Sequence, residues 1–441
     1  MYRWIAMALV IIICFTGCII KKENVSLQQE KKIENEMNSK SENKADGNTN
    51  ENNQKTSDII EIKVLFHEEN PDWNDDITIT NSKIIEDIMS MIEASTSPID
   101  ESKESQIREM SQKDNQIIAI QSNGVKKEMI FVFDTLYEVG YIEIEGKKYE
   151  PDYSFFRYLG DLNEYASFDT NIEEKVLEIF EKYHWTVDYK ISSLKEKLPD
   201  NLKHKAGEYP TKIYWAYNNE LSKEIGLDFT SYLGGDVVVE IYRLREALPE
   251  FMEPRRNARG IVLKHNDSVI GTYIDAGRHE SFACSLDRKH LTDITSKNWD
   301  EWVSNYIDAQ DELEIKLSKM TPEDIIKTYY KALDKNDIKL ARACMTRANL
   351  SHELSSNLNN YYLFNKDSGK KNNNIKRAKL LGIEEMEGIE NEQGVLEYYV
   401  EVDFDFKETI TSEDGVGPRF ITLKKESEKS GWRIDSIGTG P

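Results

Sequence analysis

Ala-Arg-Gly-Ile-Val-Leu-Lys (residues 258–264) is followed by His265-Asn266-Asp267, and then by Ser-Val-Ile-Gly-Thr-Tyr-Ile-Asp (residues 268–275). Two runs rich in β-branched residues, joined by three turn residues, predict an antiparallel hairpin. Val237–Leu244 upstream predicts a third strand of the same kind. Short connections of this sort leave no room for crossover helices between strands, so the helices must pack on the sheet from outside. That is the α+β class. The same signature recurs nearer the start. Ser122-Asn123-Gly124 separates Ile117–Gln121 from Glu128–Phe133, and Gly146 separates Tyr141–Glu145 from Lys147–Glu150. Ile60, Ile62, Val64 and Phe66 alternate with polar residues as a half-buried strand, and Ile77–Thr80 gives another.

Helical stretches divide the strands into three groups. Asn81 is placed to cap a helix with Ile84, Ile85, Ile88, Met91 and Ile92 on one face. Ile172–Tyr183 carries Val176, Ile179 and Phe180 on its inner face, and an aromatic helix holds Tyr214, Trp215, Tyr217 and Leu221. Residues 288–310 read as helical, with Trp299, Trp302, Val303, Tyr306 and Ile307 in one stripe. Thr321-Pro322-Glu323-Asp324 opens a further helix: Thr caps, Pro suits the first helical position, and the acids suit the positive end of the dipole. Ile325, Ile326, Tyr329, Tyr330 and Leu333 form its apolar face, and a second helix runs from Ile338 to Met345. Residues 365–374 read as a loop, and four strands follow: Ala378–Met386, Val395–Phe406, Phe420–Glu426 and Trp432–Ile437. We therefore expect α+β domains over 58–165, 166–310 and 311–441.

The 441 residues carry 57 Lys and Arg against 80 Asp and Glu, a net charge of −23, which opposes general binding to nucleic acid. The first domain is the most acidic, with 24 acidic against 10 basic residues. Residues 21–57 hold seven Lys, seven acids and no aromatic residue, too little apolar surface for a core. They read as a flexible tether with an average span of roughly 30–35 Å.

The first twenty residues, MYRWIAMALVIIICFTGCII, place Arg3 before an apolar run from Ile5 to Phe15. The run ends in Phe15-Thr16-Gly17-Cys18, which resembles the lipobox of bacterial lipoproteins, with Phe15 where Leu is usual. The resemblance implies a signal peptide over 1–17, cleavage between Gly17 and Cys18, and acyl chains on Cys18. Residues 18–57 would then be a lipidated, disordered lead to the folded part, held at the extracytoplasmic face of the cell membrane. The alternative is an uncleaved span over the 17 uncharged residues from Trp4 to Ile20, at the short end of what crosses a bilayer. Either places the remainder outside the membrane.

Thr321-Pro322-Glu323, Tyr329-Tyr330-Lys331-Ala332-Leu333 and the ending from Trp432 to Pro441 resemble domain of unknown function 4829. That family occurs in exported proteins of Gram-positive bacteria, and its helix-then-sheet order is similar to the cone of nuclear transport factor 2-like folds. Tyr183-His184-Trp185-Thr186-Val187, Gly226–Tyr232 and Val269-Ile270-Gly271 resemble domain of unknown function 4830. Neither resemblance implies an activity, a cofactor or a catalytic residue.

No catalytic motif stands beside these. The seven histidines lack paired metal spacing, and the oxygen-rich Asn70–Asp76 lacks the glycine and closing glutamate of a calcium loop. No nucleophile elbow or phosphate loop occurs, so no cofactor or metal is expected. Cys284 and Cys344 stand singly and read as buried thiols. Five of the fifteen arginines fall within 17 residues: Arg243, Arg245, Arg255, Arg256 and Arg259. Planar guanidinium forks suit carboxylate or phosphate, so these form a candidate anion or partner patch. The competing reading is neutralisation by Glu240, Glu246, Glu250 and Glu253. Tyr398, Phe404 and Trp432 are candidates to line an apolar pocket in the cone. The expectation is a non-catalytic binding or sensing module at the envelope, with an envelope protein or wall polymer as partner. The alternative is a small-ligand carrier using the C-terminal pocket.

Overall fold

The computed structural model describes residues 58–439 except 68–75, 112, 135–138, 165–168, 210, 253–254, 278–281, 351–373, 387–393, 408–413 and 428. The signal, Cys18, the tether, most of the 70–76 turn, His279, His352 and nearly all of the 365–374 loop lie outside the described residues. The described residues from 59 to 439 cluster as one compact unit built on three antiparallel sheets.

The first sheet has the order β2-β1-β3-β4-β5-β6, formed by β1 (Ile59–Leu65), β2 (Asp76–Ile79), β3 (Asn115–Gln121), β4 (Lys126–Asp134), β5 (Val139–Ile144) and β6 (Lys147–Tyr149). The expected alternation in β1 buries Ile62, Val64 and Phe66. It fails at Ile60, which is 55% exposed, because the register with β3 slips between Ile59 and Glu61. Helix α1 (Ser82–Ala94) is capped by Asn81, whose side chain accepts from the backbone N–H groups of Lys83 and Ile84. Its Ile85, Ile88, Met89 and Ile92 are buried. Helix α2 (Glu101–Met110) has no counterpart in the sequence reading: it buries only Ile107 and so carries no apolar stripe. Helix α3 (Tyr153–Glu164) was likewise not foreseen, and it sends Phe155, Phe156 and Leu159 into the core. Gly140 is required there, since a Cβ would lie 2.6 Å from the Phe156 ring.

The second sheet, β10-β9-β8-β7, contains β7 (Val187–Lys197), β8 (Asp236–Leu244), β9 (Arg259–His265) and β10 (Ser268–Asp275). The hairpin expected at 258–275 is there, with Asn266 at φ 53° in its turn. Helix α4 (Glu174–Glu181) lays Phe180 across Gly260, where a Cβ would come within 2.3 Å of the ring. Helix α5 (Lys212–Glu224) covers the other face, burying Tyr214, Trp215 and Tyr217. On that side the apolar core runs without a break from Ile62 of the first sheet and Ile88 of α1 through Tyr189 and Ile191 to Leu263 and Trp302. The single helical stretch expected over 288–310 is two short helices, α6 (Leu291–Thr295) and α7 (Trp299–Val303). Two capping boxes, at His290/Asp293 and Asn298/Glu301, start them separately, and Ser296 ends the first at φ 55°.

Helix α8 (Glu312–Leu317) leads into α9 (Pro322–Asp334) and α10 (Ile338–Ala343), which precede the sheet β11 (Ile375–Glu385), β12 (Val395–Phe406), β13 (Gly415–Lys425) and β14 (Trp432–Gly438). Thr321 Oγ1 accepts from the Asp324 N–H, as its capping role requires. Ile325, Ile326, Tyr330 and Leu333 of α9 bury against Val400, Val402, Ile421 and Leu423. Beneath them lies a buried ion network. Glu314 accepts from Arg347 at 2.6 Å and Arg433 at 2.9 Å, while Glu426 accepts from Arg347 at 3.2 Å.

Residues 204–209 join this part to the second sheet. Ala206 enters the third core, Gly207 (φ 69°) leaves 2.0 Å between an added Cβ and the Lys339 carbonyl oxygen, and the Arg342 guanidinium lies 4.0 Å over the Tyr209 ring. His204 is fully enclosed, its Nε2 sharing a hydrogen bond with the Glu208 carbonyl at 3.0 Å. Burial, then the Arg347 charge, pushes this imidazole down to about 3, so the neutral form is favoured in the fold. A depressed pKa gives stability that is present above the ordinary value of 6.5 and is lost as pH falls towards 3. We predict that the stability advantage of wild type over His204→Gln shrinks by about 2 kcal/mol between pH 7 and pH 5 in urea titrations. A pH-independent difference would show that the imidazole is not held neutral.

Candidate functional site

The arginine cluster separates into two kinds of residue. Arg243, on β8, is 2% exposed and grips Asp161 of α3 with two hydrogen bonds, Nε to Oδ2 at 2.9 Å and Nη2 to Oδ1 at 2.6 Å. Its Nη1 donates to Asn257 Oδ1 at 2.7 Å, and the Tyr189 hydroxyl donates to Asp161 Oδ2 at 2.7 Å. Arg259 is fully buried and forms a second fork with Asp275, at 2.6 and 2.8 Å. These two are structural ion pairs, not part of an open patch. Neutralisation is internal for them, while Glu240 pairs with Lys264 at 2.5 Å and Glu246 accepts the Thr186 backbone N–H. The acids used, Asp161 and Asp275, come from other elements.

Arg245, Arg255 and Arg256 lie on the surface. Arg245 follows the end of β8 and donates from Nε (3.0 Å) and Nη2 (2.7 Å) to Asp188 Oδ1. Arg255 donates from Nε to the Leu248 carbonyl at 3.3 Å. Arg245 and Arg256, but not Arg255, line a cleft of about 760 Å³ between the first two sheets. Its far wall is α1 and α3, with Lys83, Asp87, Arg157 and Tyr158. Arg157, one turn before Asp161, donates from Nη2 to Asp188 at 3.2 Å and from Nη1 to the Arg256 carbonyl at 2.8 Å. Its side chain is 8% exposed, and its buried Nε has no hydrogen-bond partner.

Charge in the cleft is layered. The cations stand forward, with Arg245 and Lys83 side chains 68% and 58% exposed, and their acids sit behind, with Asp188 and Asp87 at 17% and 22%. Burial, then the Asp87 charge, raises the Tyr158 phenol well above its ordinary range, so it stays protonated and donates to Asp87 Oδ2 at 3.1 Å. Burial would raise Asp152, yet hydrogen bonds from Ser154 and the charges of Arg256 and Arg157 leave it below the usual carboxylate value. Phenols held protonated and acids held in ion pairs suit recognition of charge.

The other candidates lie elsewhere. Tyr398 and Phe404 are 3% and 5% exposed, six residues apart on one face of β12, with Val400 and Val402 between them. Phe404 packs on Tyr330 at 6.3 Å between centroids, the Tyr398 hydroxyl donates to Glu385 at 3.2 Å, and Trp432 lies under Lys425. Tyr398 and Phe404 thus pack in the core under α9, with Trp432 partly buried at its edge. Cys284 and Cys344 are buried free thiols, each pushed by burial up to about 12. No group of His, Cys, Asp and Glu among the described residues could hold a metal ion. No helix among them is long and apolar enough to cross a membrane.

Residues 179–274, from within α4 to within β10, match the family model described as Domain of unknown function (DUF4830), and residues 323–438, from α9 to the end of β14, match Domain of unknown function (DUF4829). The middle and C-terminal parts thus carry the two domains in that order. A solved structure of a cystatin-like protein from Ruminococcus gnavus ATCC 29149 is 15% identical. The likeness covers 46% of this chain and 57% of that one at a TM-score of 0.20, a level that carries no argument. No curated protein matches the sequence.

Two arginines two residues apart should respond oppositely to truncation. We predict that Arg243→Ala destabilises by about 3–5 kcal/mol, because it strands a buried carboxylate, whereas Arg245→Ala costs under about 1 kcal/mol. Denaturant midpoints would check both, and similar values would remove the distinction between clamp and rim.

Proposed function

We propose that this is a lipid-anchored protein of the extracytoplasmic membrane face that works as a non-catalytic binding or sensing module, with the cleft between the first two sheets as its binding site. The observation that carries the reading is the cleft itself. It is large enough for a ligand-sized group, it draws its walls from two helices and the edge of the second sheet, and it gathers exposed cations and hydroxyl groups at one place. The Phe15–Cys18 motif and the polar stretch 21–57 support the anchoring part. Two or three acyl chains would hold the chain stably, since one chain alone binds a bilayer only marginally. We favour it over the carrier reading, since Tyr398 and Phe404 pack in the core under α9.

Cys18→Ala is expected to release the mature chain from the membrane fraction after signal cleavage. A variant that stays firmly in the membrane would replace the lipid anchor with a spanning segment. For the cleft, Ser90→Trp places bulk at an exposed cleft-lining position of α1. We expect it to lose most of the envelope material that crosslinks to the full-length protein in intact cells, with the melting temperature unchanged. Undiminished crosslinking would move the binding site elsewhere.

A further inference from the structure

We infer that the cleft binds an oxyanion, a phosphate or carboxylate group, carried by a ligand whose remaining part lies against the tyrosines of the floor; this rests on the cleft being the binding site. Four cationic side chains line it, Lys83, Arg157, Arg245 and Arg256, against the carboxylates of Asp87, Asp152 and Asp188. A local excess of positive charge runs against the rest of a chain with net charge −23. The excess is also the part that meets solvent, because the paired acids are tucked behind their cations. Arg245 spends Nε and Nη2 on Asp188, which leaves the Nη1 side of its fork turned away from that carboxylate. Arg157 stands behind it, its guanidinium held by Asp188 and the Arg256 carbonyl, and adds its positive charge to the cleft wall. Arginine forks bind phosphate and carboxylate in two-point fashion, so donors from two elements fix orientation as well as charge. Tyr153, Tyr158 and Tyr189 beside them supply aromatic surface for the rest of the ligand.

The test uses the full-length chain in neutral detergent, titrated with sodium phosphate or sodium acetate at ionic strength held constant with chloride. Binding is read from the melting temperature and, for phosphate, from the phosphorus NMR linewidth. Phosphate or acetate should raise the melting temperature of wild type. Arg245→Gln with Arg256→Gln should weaken that response about tenfold, the equivalent of about 1.4 kcal/mol, each response being read against the same variant's own melting temperature without anion. The stronger of the two anions identifies the group recognised. Equal responses in wild type and the double variant, or none in wild type, would overturn the oxyanion assignment. Should Ser90→Trp abolish crosslinking while neither anion competes with it, the cleft remains the site and only the ligand class fails. Should anions compete but Ser90→Trp have no effect, the cleft itself is wrong.

Discussion

The Arg243–Asp161 pair fixes where the first sheet's last helix lies on the second sheet. Burying both charges costs several kcal/mol per ion, and only full satisfaction of their hydrogen bonds offsets it. Here Asp161 takes two bonds from Arg243 and one from Tyr189, and the remaining arm of Arg243 reaches Asn257. A displaced α3 would leave these groups dry and unpaired, so one helix position is strongly preferred. Arg157 and Tyr158 sit one turn earlier on that helix, so the same pair places one wall of the cleft. The continuous apolar core from Ile88 to Leu263 resists separation of the sheets, while the polar contacts set their register.

A comparable arrangement ties in the third sheet. Glu426 closes the buried network with Arg347 and also accepts from Trp299 Nε1 of α7, at 3.2 Å. The 204–209 segment leaves no slack, since Gly207 has space for a hydrogen and nothing larger against Lys339. The cleft therefore belongs to a body whose three sheets are tied by buried ion pairs and close backbone approaches.

The parts of the fold legible in the sequence were those written in local code. Alternation gave the hairpins, Asn81 and Thr321 announced their helices, and the family resemblances of the middle and C-terminal parts hold. Helix α2 escaped because its ten residues bury one side chain, and residues 288–310 misled because the aromatic stripe was weighed above two capping boxes. The site was half legible. The concentration of arginine was visible, but partners 82 and 57 residues away were not, so adjacent glutamates were weighed in their place. Arg157 and Lys83 had no local signal at all; only the docking of α3 and α1 brings them to Arg245.

The end of β8 explains how one cluster could divide so sharply. Arg243 lies within β8, where its side chain meets an incoming helix, whereas Arg245 lies just beyond the strand, where no element covers it. Two residues of chain thus separate a side chain 3% exposed from one 68% exposed. Desolvation makes the first pair structural, since neither charge can be lost without exposing the other to an apolar surrounding. Hydration leaves the second weak as a stabilising pair and able to exchange part of its hydrogen bonding with an incoming group. One fork is thus buried and sets geometry, while the other stays exposed to solvent. It follows from where the strand stops, not from any difference between the two arginines themselves.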